Sequence, residues 1–306
     1  MPVRLSILLP VFNGAEYIAE TIDTVLAQTY QNWEVVIKDG GSKDGTLAIL
    51  KEYADRDSRI RVYSEPDGGT YDAIHKAARL ANGEFVCVLC ASDGYMNKEW
   101  FASCVAVFER DKEVSLVWGI PFDRDMHGKI VGPNFNYAQF LQGSSVGERL
   151  GIVRTIFNRL TRPSEWKRIL AKLNGINLTA AWHMTRRIDP PQKQEWFRYW
   201  LKTGIQFPDG NMCMSRRVLL ECLPPYRPGE GGDWMNFYFA FNTRGYLAYC
   251  LPVPANFGRT GGAVTEKFAK FNFETRLAYL EKIKDFRIRI NTREFKFRDR
   301  AGEILV

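Results

Sequence analysis

Only three histidines occur in 306 residues, at positions 75, 127 and 183, and their separations give no metal-ligand spacing. No window approaches the roughly 18 consecutive apolar residues that a membrane-crossing helix needs. There is no internal repeat and no low-complexity tract. Of the six cysteines, Cys87 and Cys90 spell C-x-x-C around Val88 and Leu89, but no second pair completes a zinc site, so buried strand cysteines are expected. Met1 to Pro10 holds one positive charge and a short apolar run ending in proline. It reads as a first strand and not as a signal peptide, which fits a reducing cytoplasm. A dinucleotide-binding fingerprint is missing as well: "GGSKDG" lacks the G-x-G-x-x-G spacing and follows the second strand.

What is present is a chain of ordinary soluble composition, 45% hydrophobic and 25% charged, with an uneven charge distribution. Residues 1–133 carry 14 basic against 20 acidic side chains, whereas residues 134–306 carry 28 against 15. The second half therefore favours an anionic partner such as phosphate, nucleic acid or a membrane surface. Its basic residues lie on dispersed helices with no nucleic-acid-binding module, so no nucleic-acid partner is expected.

The first 120 residues alternate in period. "RLSILLP", "WEVVIKD", "RIRVY", "EFVCVL" and "VSLVWGI" are strand-length apolar runs, separated by "AEYIAETIDTVLAQ", "TLAILKEYA", "YDAIHKAARLA" and "WFASCVAVFER" at helical spacing. This predicts a mostly parallel α/β sheet with helices on both faces, whose ligands bind beyond the carboxyl ends of the strands. Asp39 and Asp93 stand at two such ends, and Asp67 lies in a glycine-rich loop after a third. Like charges gathered in one crevice repel unless something cationic joins them, so a metal or a basic ligand is implied. Each acid alone would also suit a turn.

From about Pro133 the pattern changes. "GERLGIVRTIFNRL" and "SEWKRILAKL" predict a basic amphipathic helix pair, suited either to anionic lipid or to a solvated surface. "QEWFRYW" reads as aromatic packing, "FNFETRLAYLEKI" as a helix, and "FRIRINTREFKF" as a terminal hairpin. The expected division is 1–133 as the alternating α/β half, 134–205 as a basic helical insertion and 206–306 as a second half ending in a helix and hairpin.

The segments "ILLPVFNGAEYIAETIDTVLAQTYQNWEVVIKDGGSKDGT" and "SEPDGGTYDAIHKAARLANGEFVCVLCASDGY" resemble the family 2 glycosyltransferases of GT-A fold, in particular those of bacterial O-antigen and capsule synthesis. The resemblance is dense over residues 5–120 and thinner over 205–265. It implies an inverting transfer of a sugar from a nucleoside diphosphate, a UDP-sugar first among candidates, to a glycan or lipid-linked hydroxyl. By position, Pro10, Phe12, Asn13 and Asp39 receive the nucleobase and ribose, and Asp67 and Asp72 fall in the donor motif. Asp72 suits the first turn of a helix equally. Ser92 and Asp93 match the end of a D-x-D-type motif, with Ala91 and Gly94 replacing two of its polar residues. Asp93 is then the ligand of Mg²⁺ or Mn²⁺ already held by the donor.

The resemblance further implies that Asp233 is the catalytic base, with Glu230 in reserve and helix capping as the alternative. Arg259 would neutralise the leaving phosphate. Arg216 or Arg217 suits either a phosphate contact or a solvated helix start. The expected setting is cytoplasmic, peripheral at the inner face of the cell membrane. A catalytically inactive relative that binds nucleotide-sugar or glycan is the alternative.

Overall fold

The strand "LSILLPV" has an apolar side chain at all but one position because both faces of the sheet it enters are covered. In the computed structural model, which describes residues 4–125, 127–133, 193–204, 211–225, 234–259, 278–290 and 297–305, this is β1 (Leu5–Val11), buried at every position. There follow α1 (Ile18–Leu26), β2 (Trp33–Asp39), α2 (Thr46–Arg56), β3 (Ile60–Ser64), α3 (Thr70–Leu80) and β4 (Phe85–Val88). Next come β5 (Gly94–Tyr95), α4 (Trp100–Arg110), β6 (Val114–Arg124) and β7 (Ile130–Pro133). The later elements are α5 (Lys193–Thr203), β8 (Met212–Ser215), α6 (Arg216–Cys222), α7 (Trp234–Thr243), β9 (Leu247–Arg259) and a helix α8 over 278–290. The basic helix pair expected within 134–192 lies outside the described residues.

The strands form one sheet in the order β3-β2-β1-β4-β8-β6-β9-β5, with β7 on β6. β1, β2, β3, β4, β6 and β9 share a direction, while β5, β7 and β8 oppose it. The sheet is thus mostly parallel, and the C-terminal ends of six strands meet on one rim.

Strand alternation sends Leu5, Ile7, Leu9, Val35 and Ile37 to one face, where Ile18 and Ile22 of α1, Leu50 of α2 and Trp100 and Phe101 of α4 cover them. Leu8 and Val36 face the other side, under Ile74 of α3, Trp196 and Trp200 of α5, Leu219 of α6 and Phe237 of α7. The aromatic packing expected of "QEWFRYW" is there: Trp196 meets Trp118 at 5.6 Å between ring centres, and the Trp200 indole N–H donates to Tyr279 Oη at 2.7 Å. Burial raises the thiols of Cys87, Cys104 and Cys213, the second to about 11, so they behave as small apolar groups.

One expectation is corrected, and one strand was not anticipated. "FRIRI" is not a hairpin strand: residues 278–290 are one helix. Tyr279, Ile283, Phe286 and Ile290 recur at helical spacing and face the core, while Ile288, which completes the apparent alternation, is 56% exposed. β9 is a thirteen-residue strand whose prolines, Pro252 and Pro254, broke its strand pattern in the sequence.

Candidate functional site

β1 and β2 are parallel neighbours, with Val11 beside Asp39, so their exit loops leave the rim together. Asn13 adopts a left-handed backbone (φ 50°), which a residue with a short polar side chain tolerates. Its N–H donates to Ser42 Oγ at 2.8 Å, and its Oδ1 accepts from the Lys43 N–H at 2.9 Å. Gly14 N–H donates to Thr46 Oγ1 and Ala15 N–H to Asp44. Bonding by the Thr46 hydroxyl holds the Asp44 carboxyl below its usual range.

Asp39 lies beneath these loops, fully buried. It accepts from the backbone N–H groups of Gly41 and Ser42 and from the hydroxyls of Ser42 and Ser64. Its carboxylate is therefore the anchor of the 40–46 loop. What faces outward beside it is Phe12, 63% exposed, and the half-buried Asp67. They flank Gly40 so closely that a Cβ there would stand 3.2 Å from Asp67 Oδ2 and 3.3 Å from Phe12 Cδ2. Asp67 accepts from the Gly69 N–H at 2.8 Å. Asp72 accepts from the Gly68 N–H and pairs with Lys76, both at 2.9 Å. Burial opposes its charge, but these two partners outweigh that and keep its carboxyl below the usual range. It is the acidic residue of the first turn of α3.

The first loop also lies against the Asp93 turn, since a Cβ on Gly14 would be 3.3 Å from that of Ala91. That turn is tight: the N–H groups of Ser92 and Asp93 both donate to the Cys90 carbonyl. Thr21 of α1 donates its hydroxyl to the Asp93 carbonyl at 2.7 Å. Burial pushes the Asp93 carboxyl up to about 7, against the backbone N–H and the charge of Arg259. Position 94 has no room for a second acid, because a Cβ there would meet Phe257 Cζ at 2.5 Å and Thr24 Cγ2 at 2.9 Å. Among the described residues no three His, Cys, Asp or Glu side chains gather as a metal-ligand shell. Asp93 therefore fits only a cation that brings most of its ligands with it, as Mg²⁺ bound to a diphosphate does.

Next to Asp93, Arg259 from the end of β9 and Arg124 from the end of β6 both pair with Glu20 of α1. Arg259 also lies over the Tyr17 ring at 4.5 Å, and Arg124 over Phe257 at 4.6 Å. The sequence singled out Arg259 but neither Glu20 nor Arg124. These residues stand 104 and 239 positions apart in the chain, and no local pattern could join them.

The structure thus brings Pro10, Phe12, Asn13, Asp39, Asp67, Ser92, Asp93 and Arg259 to one rim. Asp233, with Glu230, Gly231 and Gly232, lies outside the described residues; α7 begins at Trp234, whose ring packs edge-on against Tyr71 of α3. Arg216 and Arg217 are not on this rim. Ser215 pairs with Phe85, the first residue of β4, so both arginines stand at the opposite end of the sheet, and Arg217 pairs with Glu221. A cavity of about 370 Å³ that they line with Lys112, Phe85 and Phe108 opens at that end too, away from the acids.

A mostly parallel crossover sheet with its strand ends gathered on one rim is the architecture of the GT-A glycosyltransferases. The described fold is similar to that of S. aureus TarS 1–349 in complex with UDP-GlcNAc, with a TM-score of 0.52 and 15% identity, over 85% of this chain and 59% of that one. It is also similar to the mannosyltransferase PcManGT from Pyrobaculum calidifontis in complex with GDP-Man and Mn²⁺, with a TM-score of 0.50 and 17% identity, over 85% of this chain and 57% of that one. The family model described as glycosyl transferase family 2 matches residues 6–164, just over half of the chain. The chain belongs to family 2 of the glycosyltransferases.

Among curated proteins, the chondroitin synthase of Pasteurella multocida (strain Pm70) is 30% identical over 136 residues, 44% of this chain and 14% of that protein. The teichuronic acid biosynthesis glycosyltransferase TuaG of Bacillus subtilis (strain 168), whose assignment is putative, is 30% identical over 151 residues. That match takes in 47% of this chain and 59% of TuaG. The matched stretch is thus a minor part of the synthase and somewhat over half of TuaG.

Proposed function

We propose that this chain transfers a sugar, with inversion, from a nucleoside diphosphate donor to a hydroxyl of a glycan or lipid-linked acceptor, in the synthesis of a bacterial surface polysaccharide. The observation that carries it is the shared rim: Phe12, Gly40 and Asp67 form an open lip at one end, and Asp93 lies beside two arginines at the other. A planar base suits the first place and a diphosphate the second. A UDP-sugar is the favoured donor, in keeping with the UDP-GlcNAc bound by TarS.

In this reading Asp233 takes the proton of the acceptor hydroxyl as its oxygen attacks the anomeric carbon and the bond to the diphosphate breaks, a contribution of roughly 10²–10⁴ in rate. Arg259 stabilises the negative charge that develops on the diphosphate. Asp93 is the protein ligand for Mg²⁺ or Mn²⁺, which would add positive charge at the same oxygens. No described helix is long and apolar enough to cross a membrane, and the excess of basic residues after 133 supports peripheral contact with an anionic membrane surface.

The test is binding and turnover across UDP-, GDP- and dTDP-sugars, with and without Mn²⁺, comparing Asp233→Asn with the parent. Diphosphate release that Asp233→Asn abolishes, with donor binding kept, is the expected result. A second reading is favoured by one observation, that Phe257 fills the space a second acid would need: the chain binds a nucleotide-sugar without turnover. Saturable donor binding with no diphosphate released across the panel would select it.

A further inference from the structure

Two guanidinium groups converge on one carboxylate at the rim, and the three groups differ in how firmly they are held. Arg259 is 92% buried by its side chain, which is 8% exposed, and is pinned between the Tyr17 ring and the end of β9. Its Nε–H is buried with no hydrogen-bond partner among the described residues. Arg124 lies on the Phe257 ring, and its Nε–H donates to the Gly128 carbonyl. Glu20, by contrast, is 40% exposed, sits in the first turn of α1 and is held at its carboxylate by the two arginines alone among the contacts described. The next residue, Thr21, bonds the Asp93 turn, so all of this stands beside Asp93.

Such a cradle, with two held guanidiniums and an N–H that no described residue uses, suits an anion with more oxygens than a carboxylate offers. We propose that Glu20 is a resident counter-anion: its carboxylate occupies a two-arginine diphosphate site and swings to solvent when a diphosphate arrives. Arg124 is then a second anion-holding residue beside Arg259. The inference rests on the donor reading above and adds a competition to it. Glu20 keeps two arginines from repelling each other in the empty site, and it imposes a penalty on diphosphate binding because a carboxylate and a phosphate compete for the same donors. Since Phe257 excludes a second metal-binding acid at position 94, these two arginines carry charge that a richer metal site would otherwise supply.

The experiment uses the full chain in EDTA, with inorganic pyrophosphate as the probe and calorimetry as the readout. Glu20→Gln should bind pyrophosphate about five- to tenfold more tightly than the parent, because a like charge is removed from the site. Glu52→Gln changes net charge equally at an exposed position on α2 and should leave binding unchanged. Arg124→Gln and Arg259→Gln should each weaken it about tenfold or more. Glu20→Gln binding no more tightly than the parent, or Glu52→Gln matching its gain, would overturn the competition. Arg124→Gln binding like the parent would remove the second arginine from the site. Donor turnover measured in parallel separates the two ideas: turnover with no effect of Glu20→Gln sinks only the counter-anion, whereas pyrophosphate binding without any nucleotide-sugar binding sinks the donor reading.

Discussion

Gly94 and Phe257 exclude each other's growth: they pair across β5 and β9, and any Cβ on Gly94 would stand 2.5 Å from the Phe257 ring. The missing acid of the D-x-D-type motif is thus a packing requirement of this sheet edge. Gly94→Asp should destabilise the protein by about 1–3 kcal/mol, the usual cost of overpacking, and should add no cation affinity. Urea unfolding checks the first and Mn²⁺ titration the second. Combining it with Phe257→Ala should recover part of the stability.

Asp39, which the family resemblance assigns to the nucleobase and ribose, is buried and accepts from four protein donors. Asp39→Ala should therefore loosen the whole 40–46 loop, seen as faster amide exchange at Gly41 and Ser42, and weaken nucleotide binding about tenfold or more. Asp67→Asn, at the open lip, should weaken nucleotide binding with amide exchange unchanged. Equal effects of the two substitutions on exchange would contradict the assignment of Asp39 as the loop anchor.

Glu34 on β2 is almost fully buried and accepts from Ser6 Oγ (2.7 Å), the Asn82 N–H (2.6 Å) and Arg61 Nη1 (3.0 Å). Glu34→Ala leaves these three donors and the Asn82 side-chain amide, which also donates to Glu34 (3.0 Å), unpaired at the end of the sheet away from the rim. A loss of about 2–4 kcal/mol in chemical unfolding is expected, with nucleotide affinity of the folded fraction unchanged.

Acid should unfold the protein partly through Asp57. Bonding by the Arg59 side chain, which also stacks over Trp33 at 3.6 Å, holds this carboxyl below its usual range. A depressed folded-state pKa means the unfolded chain binds the proton first, so the contribution is complete above the unfolded pKa near 4 and disappears as pH falls below it. Asp57→Asn should lower stability at pH 7 while flattening its decline between about pH 5 and 3, measured by urea midpoints across that range.

The alternation of periods in residues 4–120 gave the order of strands and helices apart from the two-residue β5, because a strand buried on both faces must be apolar nearly throughout. Asp39 and Asp93 were legible for the same reason, each standing where an apolar run ends, and Asp67 as an acid in the glycine-rich loop after β3; Asn13 was legible only through the family resemblance. β9 was hidden by its prolines, and α8 by an accidental alternation at Phe286, Ile288 and Ile290. Arg216 and Arg217 were legible as charges, but only the antiparallel pairing of β8 with β4 sends them to the far end of the sheet.

By itself, then, the sequence determined the parallel sheet, its covered faces and which acids end its strands, since hydrophobic period is a local property of the chain. Only the tertiary structure decided what surrounds those acids: four protein donors bond Asp39, and Phe257 closes over Gly94 beside Asp93. It also decided that Glu20, Arg124 and Arg259 meet. Such pairings depend on which strand ends become neighbours, and that is fixed by packing among residues more than a hundred positions apart.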